Sequence, residues 1–376
     1  MLRKGTFILM KTKIQDMTSG SPGRLIILFA IPLMLGNICQ QLYTMVDTMV
    51  VGQVAGVEAL AALGAVDFLM WVVTGISTGL TQGFSIQLSQ YYGAKDFENL
   101  RKSLAHSYRL TAFIAAGVLI LSQSFASLVL TGLHTPSNII GMSLLYLRII
   151  FCGIPATAAY NMFASALRAM GNSKTPLTAM IIASVLNVSL DILFVAGFGW
   201  GVAGAAIATV IAQSFSAVYC FLILRRIDIV HLTRADFMPA SGMNARLMKL
   251  GIPVVFQNII IGVGGLVVQY VINGYGFLFV AGFTATNKLY GLLEMAAISY
   301  GYAIVTYVGQ NLGAGKIDRI RKGVRSSMLL SLLTSLIISA AMFLFGKNIL
   351  SLFISGEPQQ TQQVLAIAFK YLSIMA

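Results

Sequence analysis

The sequence predicts an all-α integral membrane protein of two lobes, and composition, hydropathy and an internal repeat each support this prediction. Of the 376 residues, 57% are hydrophobic and 10% are charged. A soluble domain carries roughly 25% charged residues. The composition therefore favours a membrane protein before any single segment is considered.

Apolar stretches long enough to cross a bilayer as helices of about 20 residues occur nine times, and a tenth begins near the end of the chain. We therefore predict nine full spanning helices and part of a tenth. The predicted spans are Leu25–Val51, Gly64–Leu88, Leu104–Leu130, Leu144–Ala166, Leu177–Phe198, Val202–Leu224, Leu250–Asn273, Phe279–Val308 and Ser326–Ile354, with the tenth starting near Val364.

Basic residues alternate between the connecting segments. The N-terminal tail and the even-numbered loops hold groups of Lys and Arg, whereas the odd-numbered loops hold only Lys347. Because cytoplasmic loops carry the excess of these residues, we predict a multi-pass protein of the inner (plasma) membrane with a cytoplasmic N-terminus. The formal charge of +13 is spread over many loops, which argues against a nucleic-acid-binding module.

The chain also repeats itself. Ala30–Asn37 and Gly251–Asn258 share Ile-Pro followed by Asn five residues after the Pro, and GAKDFENLRK from Gly93 resembles GAGKIDRIRK from Gly313. The offsets are 221 and 220 residues. Since the first copy contains six crossings, both copies enter the membrane from the same side, which predicts lobes related by an axis along the membrane normal.

These patterns divide the chain into four parts. We predict a cytoplasmic tail (1–24), an N-lobe of six helices (25–224), a cytoplasmic linker (225–249) and a C-lobe (250–376). The C-lobe contains three helices and the start of a fourth where the N-lobe contains six. We therefore expect a truncated C-lobe.

One predicted helix carries an acid in its apolar interior. Asp47 follows Tyr43 and Gln40 at a spacing that stacks all three on one helical face. A carboxylate near the centre of a membrane helix costs about 2.5 to 3.5 kcal/mol on insertion scales, so such a residue indicates a functional site.

The sequence does not favour an enzyme. The three cysteines lie in apolar runs, as expected for packing residues rather than for a metal or disulfide set. A membrane-embedded prenyltransferase would need clustered acids for a metal-bound diphosphate, and the sequence contains no aspartate-rich motif.

Several motifs, taken together, resemble the multidrug and toxic compound extrusion (MATE) family of transporters. They are YTMVDTMVVGQVAG in the first helix, the GAK and GAGK turns, LRAMGNSKTP after the fourth helix and LNVSLDILFV in the fifth. Their order and duplication carry the resemblance, which extends over nearly the whole chain from Gly20. The resemblance implies twelve helices in two six-helix lobes.

The resemblance also implies a cation-coupling site in the N-lobe. Asp47 and Asp191 match acidic residues of the first and fifth helices, and Asn187 lies one turn before Asp191. These three residues would also be the metal ligands if the coupling ion is Na⁺. Gln40 and Tyr43 match polar residues that line the same cavity.

In the C-lobe the sequence departs from one branch of the family, whose seventh helix carries a Glu that is absent here. Glu294 is then the only acid that we expect to be buried in this lobe. We expect Glu294 and Asn161 to line the substrate cavity. Pro32 and Pro253 occupy the same repeat position and are predicted hinges, since a Pro inside a helix leaves a carbonyl unsatisfied and permits bending.

The implied function is secondary active multidrug export. Organic, mostly cationic compounds would leave the cell in exchange for inward H⁺ or Na⁺, because a partly buried carboxylate can hold a proton, a metal ion or a cationic substrate, one at a time. We expect a monomer in the lipid bilayer with no cofactor beyond the coupling ion. The alternative is a lipid-linked oligosaccharide flippase of the same superfamily, which would need a more cationic cavity than these helices offer.

Overall fold

The computed structural model describes residues 14–133, 135–273, 275, 277–351 and 358–375. No β-strand occurs among these residues, which confirms the predicted all-α class. The α-helices are α1 (Pro22–Val54), α2 (Val57–Gly93), α3 (Phe97–Gly132), α4 (Ile140–Cys152), α5 (Ile154–Ala169), α6 (Lys174–Asp191), α7 (Gly201–Leu224), α8 (Met243–Asn273), α9 (Phe277–Gly313), α10 (Ile317–Ser351) and α11 (Pro358–Met375).

Within the described residues, six helices are long and apolar enough to cross a membrane, and the number rises to eight if each of two bent helix pairs is one span. The pair α4 and α5 corresponds to the fourth predicted span and bends by 46° at Gly153. Pro155 lies in the first turn of the new helix, where its missing N–H is not needed. The full count of nine spans and part of a tenth stays a prediction.

Small side chains allow the N-lobe helices to approach each other closely. The buried face of α7 consists largely of Gly and Ala, including Gly204, Ala208 and Ala212. Lipid tails are as apolar as leucine, so helices in a membrane associate through close packing rather than through apolar burial. This packing holds α7 against α6, α5 and α4.

The two lobes meet through a row of glycines. Gly75, Gly79 and Gly83 recur every four residues on α2 and face α8. A Cβ atom at Gly79 would lie 2.9 Å from the backbone of Val255, and one at Gly83 would collide with the backbone of Gly251. The antiparallel helices are therefore in backbone contact.

Two copies of a Gln-x-x-Gly motif, Gln90–Gly93 and Gln310–Gly313, also meet across the lobe interface. A Cβ atom at Gly93 would collide with the carbonyl oxygen of Gln310, and a Cβ atom at Gly313 would collide with that of Gln90. Each motif thus packs against its own copy. The reciprocal contact agrees with the predicted two-fold relation between the lobes.

This contact lies at the end of the bundle that carries most of the loop Lys and Arg residues, which we call the basic face. Residues 14–21, which we call the N-terminal strap, cross the lobe interface here. The backbone N–H of Gln15 donates to the carbonyl of Gly171 in the N-lobe at 3.1 Å, and the N–H of Met17 donates to Gln310 Oε1 in the C-lobe at 3.0 Å. Further donors from the C-lobe to strap carbonyls are Asn311 Nδ2 to Met17, Lys316 Nζ to Thr18 and Arg319 Nη1 to Gly20, each at 2.9 Å.

The segment between the lobes packs on α3. Two short 3₁₀ helices, Asp228–Val230 and Arg234–Phe237, precede α8, which begins inside the range predicted as linker. His106, buried on α3, contacts Asn244 Oδ1 at 2.7 Å and the carbonyl oxygen of Met238 at 3.0 Å. The connection is therefore held to the N-lobe by specific hydrogen bonds.

Candidate functional site

Two buried aspartates lie on the neighbouring helices α1 and α6 inside the N-lobe. Asp47 on α1 is 5% exposed and Asp191 at the end of α6 is 0% exposed, and the two carboxyl groups interact electrostatically. Asn187, one turn earlier on α6, is also 0% exposed. The structure thus brings together the three residues predicted to form the coupling site.

The hydrogen bonds around these residues leave acceptors unpaired. Five buried oxygens accept no hydrogen bond within the described part of the chain: Asp47 Oδ1, Asn187 Oδ1, both carboxylate oxygens of Asp191, and Gln213 Oε1. A buried polar atom left without a partner costs about 1 to 3 kcal/mol. Because all five atoms are acceptors, the ligand that would satisfy them is a proton donor or a cation.

Neighbouring hydroxyls orient the amide groups of this set. Asn187 Nδ2 donates to Thr209 Oγ1 at 3.4 Å, and Gln213 Nε2 donates to the hydroxyl of Tyr43 at 3.2 Å. Each amide nitrogen is thereby engaged while its oxygen is left unpaired. The described residues contain no group of three or more His, Cys, Asp or Glu side chains placed to hold a metal ion. The ligands available to a cation at this site are two carboxylates and the oxygens of two side-chain amides.

A π-helical turn follows Asp191 directly. Residues Ile192–Gly197 adopt this conformation, and the N–H of Phe198 donates to the carbonyl of Leu193, five residues earlier, at 2.9 Å. Such turns are rare and are frequent at functional sites. The turn packs against Gly204 of α7, where an added Cβ atom would lie 3.0 Å from Phe194 Cβ.

The remaining N-lobe residues surround the pair of acids. Gln40, one turn before Tyr43 on α1, is exposed, so it lies at the edge of the site rather than inside it. Tyr146 on α4 is 5% exposed and interacts electrostatically with both aspartates. Tyr146, Thr209 and Gln213 were not among the predicted site residues. Gln213 is an amide inside an apolar span, so a polar group within a membrane helix was a signal for it, as it was for Asp47.

The prediction that Glu294 is buried is wrong. Glu294 is exposed and lines a cavity of about 360 Å³ between α2, α8 and α9, with Trp71, Gln82, Gln257 and Tyr302 among the other lining residues. Hydropathy measures only how apolar a helix is. It gives no information on a cavity that lies between helices of the two lobes, and Glu294 faces such a cavity. Glu294 therefore belongs to the cavity between the lobes, whereas Asp47 and Asp191 belong to a separate site inside the N-lobe.

Asn161 lies beside this second cavity. Its Nδ2 donates to Thr78 Oγ1 at 3.4 Å, and Thr78 lines the cavity. Towards the basic face, the guanidinium of Arg168 from the N-lobe lies 4.7 Å from the ring centre of Tyr302 in the C-lobe. This cation–π contact bridges the lobes beneath the cavity.

The two predicted hinges lie inside uninterrupted helices, Pro32 in α1 and Pro253 in α8. The asparagines of the same repeated motif have a clear role. Asn258 Nδ2 donates to the carbonyl of Gly75 at 3.1 Å, and Asn37 Nδ2 donates to Ser299 Oγ at 3.2 Å. Each asparagine thus joins the first helix of its lobe to the second helix of the other lobe.

The model of one protein family, MatE, matches residues 32–193 and 253–376 of this chain. The two matched segments begin at Pro32 and Pro253, the prolines of the internal repeat. Together they cover more than half of the sequence. The chain belongs to the MatE family.

Curated MatE relatives cover most of the sequence. A probable multidrug resistance protein of Bacillus subtilis, YpnP, is 31% identical over 96% of this chain and 81% of its own length. The probable multidrug resistance protein NorM of Thermotoga maritima is 26% identical over 89% of this chain and 72% of its own length.

Solved structures show the same fold. A MOP superfamily transporter from Pyrococcus furiosus superposes with a TM-score of 0.90 at 23% identity, covering 96% of this chain and 80% of its own. An outward-facing multidrug resistance MATE family transporter superposes with a TM-score of 0.88 at 22% identity, covering 97% and 82%. The all-α fold that the resemblance to the MATE family implies is thereby confirmed.

Proposed function

We propose that this MatE protein is a secondary active multidrug exporter that moves organic, mostly cationic compounds out of the cell in exchange for inward H⁺ or Na⁺. The main support is the set of unpaired buried oxygens around Asp47 and Asp191, because a bound proton or cation would stabilise these acceptors inside an apolar lobe. The names of the relatives, multidrug resistance and export proteins, support drugs as substrates.

The coupling follows from the electrostatics of two close carboxyl groups. Like charges in a low-dielectric interior repel strongly, so the pair is stable only when a proton or a metal ion reduces its charge. An oxygen-only set suits a hard cation such as Na⁺ as well as a proton. No other cofactor is required by this scheme.

The interlobe cavity supplies a place for the substrate. Trp71 and Tyr302 offer aromatic faces, which attract organic cations, and Glu294 supplies a negative charge on the same wall. An exchange between substrate and ion would then couple the cavity to the N-lobe acids through α2, which lines the cavity and contacts α1, the helix that carries Asp47.

Orientation follows from the charges of the loops. We place the basic face in the cytoplasm of a cell with the protein in its plasma membrane, since Lys and Arg accumulate on that side. The contacts of Gly93, Gly313 and the N-terminal strap then close the cytoplasmic end of the lobe interface. Substrates would leave from the opposite end.

Dye transport in inside-out vesicles, driven separately by a proton and a sodium gradient, tests this function. We expect one gradient to drive uptake of a cationic dye, and Asp47→Asn and Asp191→Asn to reduce that uptake to background, since an amide keeps the shape but cannot be charged. Asp318→Asn, the same change at an exposed position of the basic face, is the matched control and should transport normally.

Two outcomes would overturn the assignment. Absence of gradient-driven dye transport by the unchanged protein would remove drug export as its function. Full transport by both N-lobe variants with loss of transport in Glu294→Gln would move the coupling site to the interlobe cavity.

A further inference from the structure

An apolar groove of about 350 Å³ opens on the outer side of the N-lobe, between α3, α5 and α7. Its floor is formed by buried side chains, including Ala115, Ala158 and Met162, whereas Ala112 and Ala116 at its rim are exposed. The groove is separate from the Asp47 site and from the interlobe cavity, with which it shares no lining residue.

The surface around the groove carries large apolar side chains that are exposed, as expected for a surface in contact with lipid. Phe113 and Ile120, on the same helix as the rim, are 80% and 64% exposed. Along α3 the groove reaches from Tyr108 to Leu119, which at 1.5 Å per residue is about 16 Å. The hydrocarbon of one leaflet is about 15 Å thick, half of a 30 Å core. The groove therefore has the length of one acyl chain in one leaflet.

Its end nearest the basic face is aromatic and positively charged. The ring of Phe163 lies 5.3 Å from that of Tyr108 and 5.2 Å from that of Phe221, and all three residues line the groove. The guanidinium of Arg225 lies 5.7 Å from the ring centre of Phe221. Arg225 and the adjacent Arg226 are exposed, and the guanidinium of Arg225 lies at this end of the groove beside Phe221.

We propose that this groove binds a phospholipid with an acidic headgroup from the leaflet on the basic face. One acyl chain fills the groove, and Arg225 and Arg226 hold the headgroup at its mouth. Clusters of basic residues beside membrane helices are suited to anionic lipids.

The lining argues against an organic cation as the occupant. None of the described residues that line the groove is acidic, whereas Arg225 lies beside Phe221 at its end. A cationic compound would enter without a counter-charge and next to a positive one. In an anionic amphiphile, the negative group can pair with Arg225 at the mouth, and the apolar chain can pack against the apolar wall.

Native mass spectrometry of the purified full chain tests the proposal. The protein is exchanged into nanodiscs of phosphatidylglycerol and phosphatidylcholine in equal amounts and then released, and the retained lipid is counted. We expect the unchanged protein to retain phosphatidylglycerol preferentially. Arg225→Gln should weaken that preference about fivefold, the effect of one basic residue near an anionic surface.

Filling the groove separates the acyl-chain contribution from the charge. Ala116→Phe places a ring over the rim and should abolish retention of the lipid, whereas Leu128→Phe, at a 66% exposed position of the same helix outside the groove, should leave it unchanged. Arg321→Gln, an exposed arginine on the C-lobe, is the charge control.

Three results would overturn the proposal. The first is equal retention of the two lipids by the unchanged protein. The second is equal retention by Ala116→Phe and Leu128→Phe. The third is displacement of the retained lipid by a transported cationic dye in the unchanged protein, which would make the groove a substrate site instead.

Discussion

At the scale of single residues, the N-lobe site is defined by an excess of acceptors. Asp47, Asp191 and Asn187 come from two helices whose other buried residues are mostly apolar. The amide nitrogens of Asn187 and Gln213 donate to the hydroxyls of Thr209 and Tyr43. Neither amide donates to Asp47 Oδ1 or to the carboxylate oxygens of Asp191, which stay unpaired within the described residues. A membrane helix retains such a costly arrangement when the charge is used.

The two aspartates should act as one unit. In gradient-driven dye transport, Asp47→Asn and Asp191→Asn should each abolish coupled efflux, and the double variant should be no worse than either single variant, because residues that act together are strongly non-additive. Expression of the variants should not fall, since removing a buried charge does not hinder insertion. Partial activity in each single variant with a multiplied loss in the double would show two independent sites.

At the scale of helices, hydropathy predicted where the apolar helices lie. It did not predict the features that depend on backbone geometry or on contacts between helices. The predicted span Leu177–Phe198 matches α6 with its π-helical turn, yet nothing in its apolar run distinguishes a π turn from an α turn. The repeat located Gly93 and Gly313 but could not show that they touch. Glu294 was misplaced for the same reason, because the cavity that exposes it exists only between lobes.

The π turn should depend on Gly204. An alanine there would place its Cβ atom 3.0 to 3.2 Å from Phe194, and overpacking of this kind costs about 1 to 3 kcal/mol. The turn begins at Ile192, directly after Asp191, so Gly204→Ala should lower both thermal stability and coupled transport. Gly117→Ala, where an added Cβ atom meets nothing within 4 Å, should leave dye transport unchanged and should keep or slightly raise thermal stability, since Ala favours a helix by up to about 1 kcal/mol.

The glycine row of α2 offers a second test with an internal control. Gly79→Ala should destabilise the lobe contact by about 1 to 3 kcal/mol, because the added methyl group would lie 2.9 Å from the backbone of Val255. Gly64, on the same helix, has nothing within 4 Å, and Gly64→Ala should be neutral or stabilising, since Ala favours a helix by up to about 1 kcal/mol. A thermal-shift measurement in which both variants behave alike would contradict the α2–α8 packing.

At the scale of the whole molecule, the basic face is closed by contacts from three parts of the chain. The Gln-x-x-Gly motifs pack against each other, Arg168 stacks on Tyr302, and the N-terminal strap binds both lobes. Gln310 is shared, since its Oε1 accepts from Met17 of the strap while its Nε2 donates to the carbonyl of Ala169 at 2.8 Å. Any opening at this face must break these bonds together, so we expect the strap to favour the closed state.

Loosening the strap should therefore open the basic face. Gly171 has a φ of +89°, and a Cβ atom there would collide with the carbonyl oxygen of Gln15, so Gly171→Ala should push the strap off the N-lobe. Gly199 also has a positive φ, +69°, but an added Cβ atom would meet nothing within 4 Å. Gly199→Ala therefore carries a comparable backbone strain of about 1 to 2 kcal/mol without touching the strap, and it serves as the matched control.

Electron spin–spin distances between labels at Lys95, in the turn after α2, and Lys322, near the start of α10, report this opening, since both positions are exposed. We expect a longer-distance population in Gly171→Ala that is absent from the unchanged protein and from Gly199→Ala. The reason is that the strap is bonded to both lobes, at Gly171 on one side and at Gln310 on the other, so releasing one end removes its resistance to separation. Identical distance distributions in all three proteins would show that the Gln-x-x-Gly contact alone keeps the face closed.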